Sequence, residues 1–325
     1  MLGVSGSAAE GPRFEAYTAF AVEATDPRVV QWLGPDALRA SLRASLVEEY
    51  RQRTQPENLA VYRSRCPVPG ASPASYALRE IDLGSVGSVI AGIHFEGMEV
   101  ARPFVGVAAR TCAVRSRREA EAIGRRLRSE FALFAPSRWW LGSSALDTGL
   151  EEAGAVVDQH LVVGRLGSLR ARPTPKPDLD VALRATPVEP VYPLYRAMYE
   201  RLFATSPHMR GVVQVEEPGT LQSAADLGAF FRVDVEGVLA GFLAAVPSRE
   251  APIDGWVVLE EILDGPYRGR GLAAPIQRMF IDALPAPDDA FLFGHIAAVN
   301  PRSLRTALRA GRVEIGRWCF LPFPA

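Results

Sequence analysis

Apolar and polar positions along the chain follow two periods, about 2 and about 3.6 residues, and each switch between them marks a change of element. In the first half the pattern predicts a strand over Phe14 to Val22, an amphipathic helix over Asp36 to Arg53, and strands over Tyr76 to Asp82 and Ser88 to Glu96 around a glycine turn. A strand over Phe104 to Val114, a helix over Ser116 to Phe134, a strand over Arg138 to Gly142, a helix near Ala145 to Ala153 and a strand over Val156 to Val163 follow. The second half repeats this order: a strand over Leu179 to Ala185, a helix over Glu189 to Ala204, then strands over Ala229 to Val235 and Val238 to Val246. Trp256 to Leu263, Ala290 to Ala297 and Val313 to Phe320 read as further strands, separated by helices over Leu272 to Leu284 and Pro301 to Ala310. Between the halves, the prolines of Arg170 to Asp178 forbid a helix and withhold backbone donors from a sheet. The expected division is a disordered tail over 1–12, an α/β domain over 13–168, a linker over 169–177 and a second α/β domain of the same topology over 178–325.

Composition narrows the classes of function. A chain of 325 residues, 48% of them hydrophobic, can bury two cores. Its 36 basic and 37 acidic residues leave a net charge of -1, so no overall field draws it to nucleic acid. Cys66, Cys112 and Cys319 are too few and too scattered for a disulfide framework or a thiolate metal site. A reducing cytoplasm and the absence of a metal are the expectations. Residues 1–12 lack the basic start and apolar run of a signal peptide, and no stretch approaches the ~20 apolar residues of a membrane span.

The most informative stretch is 256–284, where an apolar strand and a short turn lead into Tyr267-Arg-Gly-Arg-Gly-Leu-Ala273 and an apolar-periodic helix. Leu272, Ile276, Met279, Phe280 and Ala283 form the expected buried stripe of that helix. Pro275 is compatible only with its first turn, which places Gly269 and Gly271 just ahead of the helix N-terminus. Backbone free of side chains can approach a ligand closely there, and the unpaired N–H groups with the helix dipole favour phosphate. Gly269-x-Gly271-x-x-Ala274 also matches the relaxed dinucleotide fingerprint. Five residues between strand and first glycine, and the placement of Asp288 and Asp289 before the next strand, argue against that match.

Arg268-Gly-Arg-Gly-Leu-Ala273 resembles the Q/R-x-x-G-x-G/A signature of the GNAT superfamily of acyl-CoA N-acyltransferases. Downstream, Asn300 ahead of a helix and Gly311 closing it resemble the second motif of that family. The resemblance covers 178–325 by element order and 256–316 by motif. It implies an α/β fold of two tandem GNAT-like domains, each a mixed, mostly antiparallel sheet flanked by helices, as in tandem members of the mycothiol synthase type. The first half has Ala113-Val-Arg-Ser-Arg-Arg118 where the glycines would stand, so it is expected to be a degenerate copy. The implied co-substrate is acetyl-CoA or another acyl-CoA, bound by Leu263, Arg268, Gly269, Arg270, Gly271, Leu272, Ala273, Asn300 and Arg305. The implied partner is a small-molecule amine acceptor. Two departures stand out: Ala307 occupies the position of a frequent general-acid tyrosine, and Gly311-Arg312 replaces the usual Gly-Phe.

Amide formation from a thioester needs a neutral amine, a donor for the carbonyl oxygen and a proton for the thiolate. Glu260 and Glu261 are consecutive in an otherwise apolar strand, so they face opposite sides of the sheet. Period-2 counting places Glu260 with Val258 and Ile262, and the resemblance turns that side toward the acceptor. Glu260 is therefore the candidate base and Glu261 a structural carboxylate. His295, on a strand with Phe291 and Phe293, is the second catalytic candidate because imidazole titrates near neutrality. Two alternatives to an N-acyltransferase remain: an acyl-CoA-binding sensor or assembly module without turnover, and an acyltransferase fed by an acyl carrier protein docking on Arg302, Arg305 and Arg309.

Overall fold

The structure, a computed structural model, describes residues 13–173 and 178–324. The expected tail over 1–12 and residues 174–177 of the proline-rich segment lie outside the described residues. In chain order the helices are α1 (Glu15–Ala24), α2 (Pro27–Leu33), α3 (Pro35–Gln52), α4 (Pro56–Arg65), α5 (Arg117–Glu130), α6 (Leu166–Arg170), α7 (Tyr192–Thr205), α8 (Pro218–Asp226), α9 (Ala273–Ala283) and α10 (Pro301–Arg309). The strands are β1 (Arg79–Asp82), β2 (Ser88–Phe95), β3 (Pro103–Arg110), β4 (Arg138–Ser143), β5 (Val156–Arg165), β6 (Val181–Ala185), β7 (Phe230–Val235), β8 (Val238–Glu250), β9 (Ile253–Leu263), β10 (Phe291–Ala297) and β11 (Val313–Pro322).

Two compact units result, one ending at Asp158 and resuming at Ile315, the other running from Gln159 to Glu314. This division differs from a cut at the proline-rich segment. The first unit orders its strands β1-β2-β3-β4-β11, and the second β5-β10-β9-β8-β7-β6. Each half of the sequence thus supplies a strand to the other unit: β11 lies antiparallel to β4, and Gln159–Arg165 of β5 lie antiparallel to β10. Alternating burial cannot reveal such an exchange, because it fixes which face of a strand is buried and leaves its neighbour open.

Both units share a core of three antiparallel strands, a crossover helix and a parallel fourth strand: β1, β2, β3, α5, β4 in one and β7, β8, β9, α9, β10 in the other. A parallel pair requires such a crossover, which is why α5 and α9 cover one face of their sheets. Phe14 to Val22 is not a strand. Phe14, Tyr17 and Thr18 are buried at helical spacing, and the segment forms the N-terminal part of the helical layer instead. No helix forms near Ala145 to Ala153: the carboxylate of Asp147 accepts from the Ser144 amide, and Gly154 takes φ +76°, so the chain turns there.

In the second unit the buried side of α9 carries Leu272, Ile276, Phe280 and Ile281 against Phe231, Val233 and Leu243. Each such side chain contributes roughly 1.5–3 kcal/mol on burial. Met279 is half-buried and Ala283 exposed, so the stripe is rotated from the expected one toward Ile281. Among the described residues no helix is long and apolar enough to cross a membrane.

Candidate active site

The parallel pairing of β9 with β10 is brief. It joins Phe291 to Gly255, Leu292 to Trp256 and Phe293 to Val257, then stops. Beyond it β9 continues against β8 alone and β10 against β5, so a V-shaped gap opens between Val258–Leu263 and Gly294–Ala297. A bulge in β9 at Leu259, where Ala244 faces Glu260 and Ala245 faces Val258, bends the strand at the start of this gap. The bulge also corrects the facing of the strand. Val258 and Glu261 share the side of α9, while Leu259, Glu260 and Ile262 share the side of α7. A strict period of two would instead pair Val258 with Glu260.

At the open end of the gap the chain turns through Gly269 and Gly271, at φ +75° and +77°, into the N-terminus of α9. A Cβ on either glycine would meet nothing within 4 Å. No side chain caps α9, whose N-cap position is Leu272. The amides of Leu272, Ala273 and Ala274 precede Pro275 and have no intrahelical acceptor, which is the arrangement that suits an anion. Arg268 is half-buried and donates from Nε to the carbonyl of Leu263 at 2.5 Å, fixing the turn. Arg270 is exposed. Asn300 caps α10 by accepting from the Ser303 amide at 3.3 Å, and Arg305 is exposed on that helix with Arg302 and Arg309. The structure thus gathers Leu263 to Ala273 at one end of the gap and gives Asn300 a helix-capping task.

Glu260 is buried, 4% exposed, beneath α7. Tyr195 donates to it at 2.6 Å, and Tyr199 reaches both carboxylate oxygens at 2.9 Å. Burial pushes the carboxyl up to about 7, against the opposing effect of these hydrogen bonds. Both tyrosines are held well above the ordinary phenol range, first by burial and then by the adjacent carboxylate. The sequence offers a cue to the partners: hydroxyls four apart on one helix face, with one of two consecutive glutamates turned to that side of the strand below. His295 is on the rim of β10, 28% exposed by side chain, with Nε2 3.5 Å from the carboxylate of Glu250. Ala307, on α10, is fully buried. Among the described residues no group of histidine, cysteine or acidic side chains has the arrangement of a metal site.

The corresponding place in the first unit is closed by its own chain. Ser116 caps α5 by accepting from the Glu119 amide, and Glu119 in turn accepts from the Arg115 amide. A Cβ on Gly149 would lie 2.2 Å from the Ser116 nitrogen, so the 144–149 turn packs directly on this helix end. The Asp147 carboxylate takes hydrogen bonds from the amides of Val114 and Ser144 at 2.8 Å and from both ends of the Arg110 guanidinium at 2.5 Å. The carboxylate thereby ties the 144–149 turn to the segment that leads into α5; against burial, its hydrogen bonds hold it below the usual carboxylate range.

No protein-family model matches the chain, and no curated protein matches it. Solved structures similar to it include a GCN5-related N-acetyltransferase from Sphaerobacter thermophilus, at 14% identity, 84% of this chain and 96% of that one, TM-score 0.45. An acetyltransferase of the GNAT family from Colwellia psychrerythraea shares 10% identity over 81% and 94% of the two chains, TM-score 0.46. A tandem GNAT protein from the clavulanic acid biosynthesis pathway shares 12% over 85% and 93%, TM-score 0.39. At these identities and scores the similarity assigns no activity to this chain.

Proposed function

We propose that the second unit is a GNAT-like N-acyltransferase, taking an acyl group, most simply acetyl, from acyl-CoA and passing it to the amine of a small molecule, and that the first unit holds no second donor site. The observation that carries this reading is the gap between β9 and β10 leading to an uncapped helix N-terminus through two left-handed glycines. Unpaired backbone groups along two splayed strands suit an extended, amide-bearing arm, which pairs with them as an added strand would. The helix end suits the pyrophosphate at the far end of that arm, and the exposed Arg270 and Arg305 suit its charge.

In the reaction the amine nitrogen attacks the thioester carbonyl, the amine loses a proton and the C–S bond breaks. Glu260 receives the proton, through the hydroxyls of Tyr195 and Tyr199 or a water, since its carboxylate lies behind them. A carboxyl held near 7 is half ionised at neutral pH, which is the condition for such a base. The departing thiolate takes its proton from His295 or from solvent. Ala307 cannot supply it.

Single-turnover assays with acetyl-CoA and a panel of small amines test this reading, with an acylated amine as the expected product. Binding of acetyl-CoA without transfer to any amine would favour the sensor reading, for which the seal over Glu260 and the buried Ala307 speak. Suppression of transfer from acetyl-CoA by an acyl carrier protein would favour the third reading, supported by the exposed Arg302, Arg305 and Arg309.

A further inference from the structure

Opposite Glu260, on the α9 side of β9, three polar side chains form a row inside the apolar core. The amide of Gln277 donates to Glu261 and its oxygen accepts from Nη2 of Arg312 at 2.9 Å. Gln277 and Arg312 are each 3% exposed. Burying a guanidinium is costly unless its donors are used. Yet Nε of Arg312 is buried with no hydrogen-bond partner among the described residues.

The guanidinium sits where the two strands part. A Cβ on Gly294, the first residue of β10 past the parallel pairing, would lie 3.3 Å from Nη1 of Arg312 and 3.8 Å from Cβ of Val258. The glycine therefore lets the arginine reach the closed end of the V. From Val258 to Leu263 the gap runs five residues, about 17 Å at about 3.3 Å per residue. A pantetheine arm entering from the α9 N-terminus spans a comparable length, which brings its thioester to the closed end.

We propose that Arg312 is a donor-binding residue that hydrogen-bonds the carbonyl oxygen of the acyl thioester from the α9 side of the gap. The inference rests on the acyl-CoA reading of the same gap. Glu261 balances the charge of Arg312 within the row, so the site suits a neutral carbonyl and disfavours an acyl chain ending in a second carboxylate. Gln277 and Glu261 are positioning residues, holding one edge of the guanidinium so that the other faces the gap.

The test compares the full chain with the charge-balanced double variant Glu261→Gln with Arg312→Met, and with Arg312→Lys, after thermal melting has established that each is folded. Calorimetric titrations use acetyl-CoA, CoA and adenosine 3′,5′-diphosphate, which carry the acyl carbonyl, the arm alone and neither. A hydrogen bond from a charged donor corresponds to roughly tenfold or more in affinity. The double variant should lose about that factor for acetyl-CoA, much less for CoA and nothing for the diphosphate, with Arg312→Lys between. Equal losses for acetyl-CoA and CoA, or no loss, would overturn the assignment. Binding of none of the three by the unaltered chain would instead overturn the acyl-CoA reading and this inference with it.

Discussion

Replacing Glu260 with Gln removes a buried charge while keeping a side chain that can accept from one tyrosine and donate to the other. The Glu260 carboxyl is lifted from 4.5 to about 7 by burial, net of the hydrogen bonds from Tyr195 and Tyr199. At about 1.4 kcal/mol per pH unit that gap is worth about 3 kcal/mol. A folded value above the unfolded one means that the native state keeps its proton longer. The contribution is complete below pH 4.5, shrinks as the unfolded chain ionises first, and is gone above about 7. Urea unfolding measured between these limits should show the unaltered protein losing about 3 kcal/mol more than Glu260→Gln, with Glu261 common to both and cancelling. In turnover the sign reverses, because a base must be ionised: kcat/KM should rise with pH through about 7, and the variant should lose that rise and about 10²–10⁴ in rate. Equal pH dependence of stability would show that Glu260 does not titrate as a buried acid. Unchanged kcat/KM would return it to a structural role.

His295→Asn should leave the thermal midpoint nearly unchanged, since an exposed pair with Glu250 at 3.5 Å is worth about 0–1 kcal/mol. It should slow acyl transfer without weakening CoA binding, and an unaltered kcat would assign His295 to the surface pair alone. Asp147→Asn removes one partner of a buried ion pair and should cost about 3–5 kcal/mol by denaturant unfolding. A variant as stable as the unaltered protein would contradict the view that this buried pair holds the 144–149 turn against the segment leading into α5.

The segment from Trp256 to Ala283 was legible because its signals are local: two glycines, a proline confined to a first helical turn and an apolar period. The strand exchange was not, since β5 and β11 pair with partners more than a hundred residues away in sequence, and hydrophobic alternation carries no record of the neighbour. Cutting the chain at the prolines would strip Gln159–Arg165 from the second unit and Ile315–Pro322 from the first, so isolated halves are poor reagents. Strict alternation misplaces Val258 because one extra residue at Leu259 reverses the facing, and a bulge leaves no fixed mark in sequence. Arg312 stands out in the sequence only against the Gly-Phe that the resemblance implies, and its partners Gln277 and Glu261 become apparent only with α9 laid on β9.

Calorimetric titration of the full chain with CoA, before and after Gly271→Val, tests the asymmetric donor site most directly. At φ +77° a β-branched side chain strains the turn and blocks the approach to the α9 amides. One CoA per chain, with affinity reduced tenfold or more by the substitution while the chain remains folded, is the predicted result. Two CoA per chain, or binding indifferent to Gly271→Val, would contradict it.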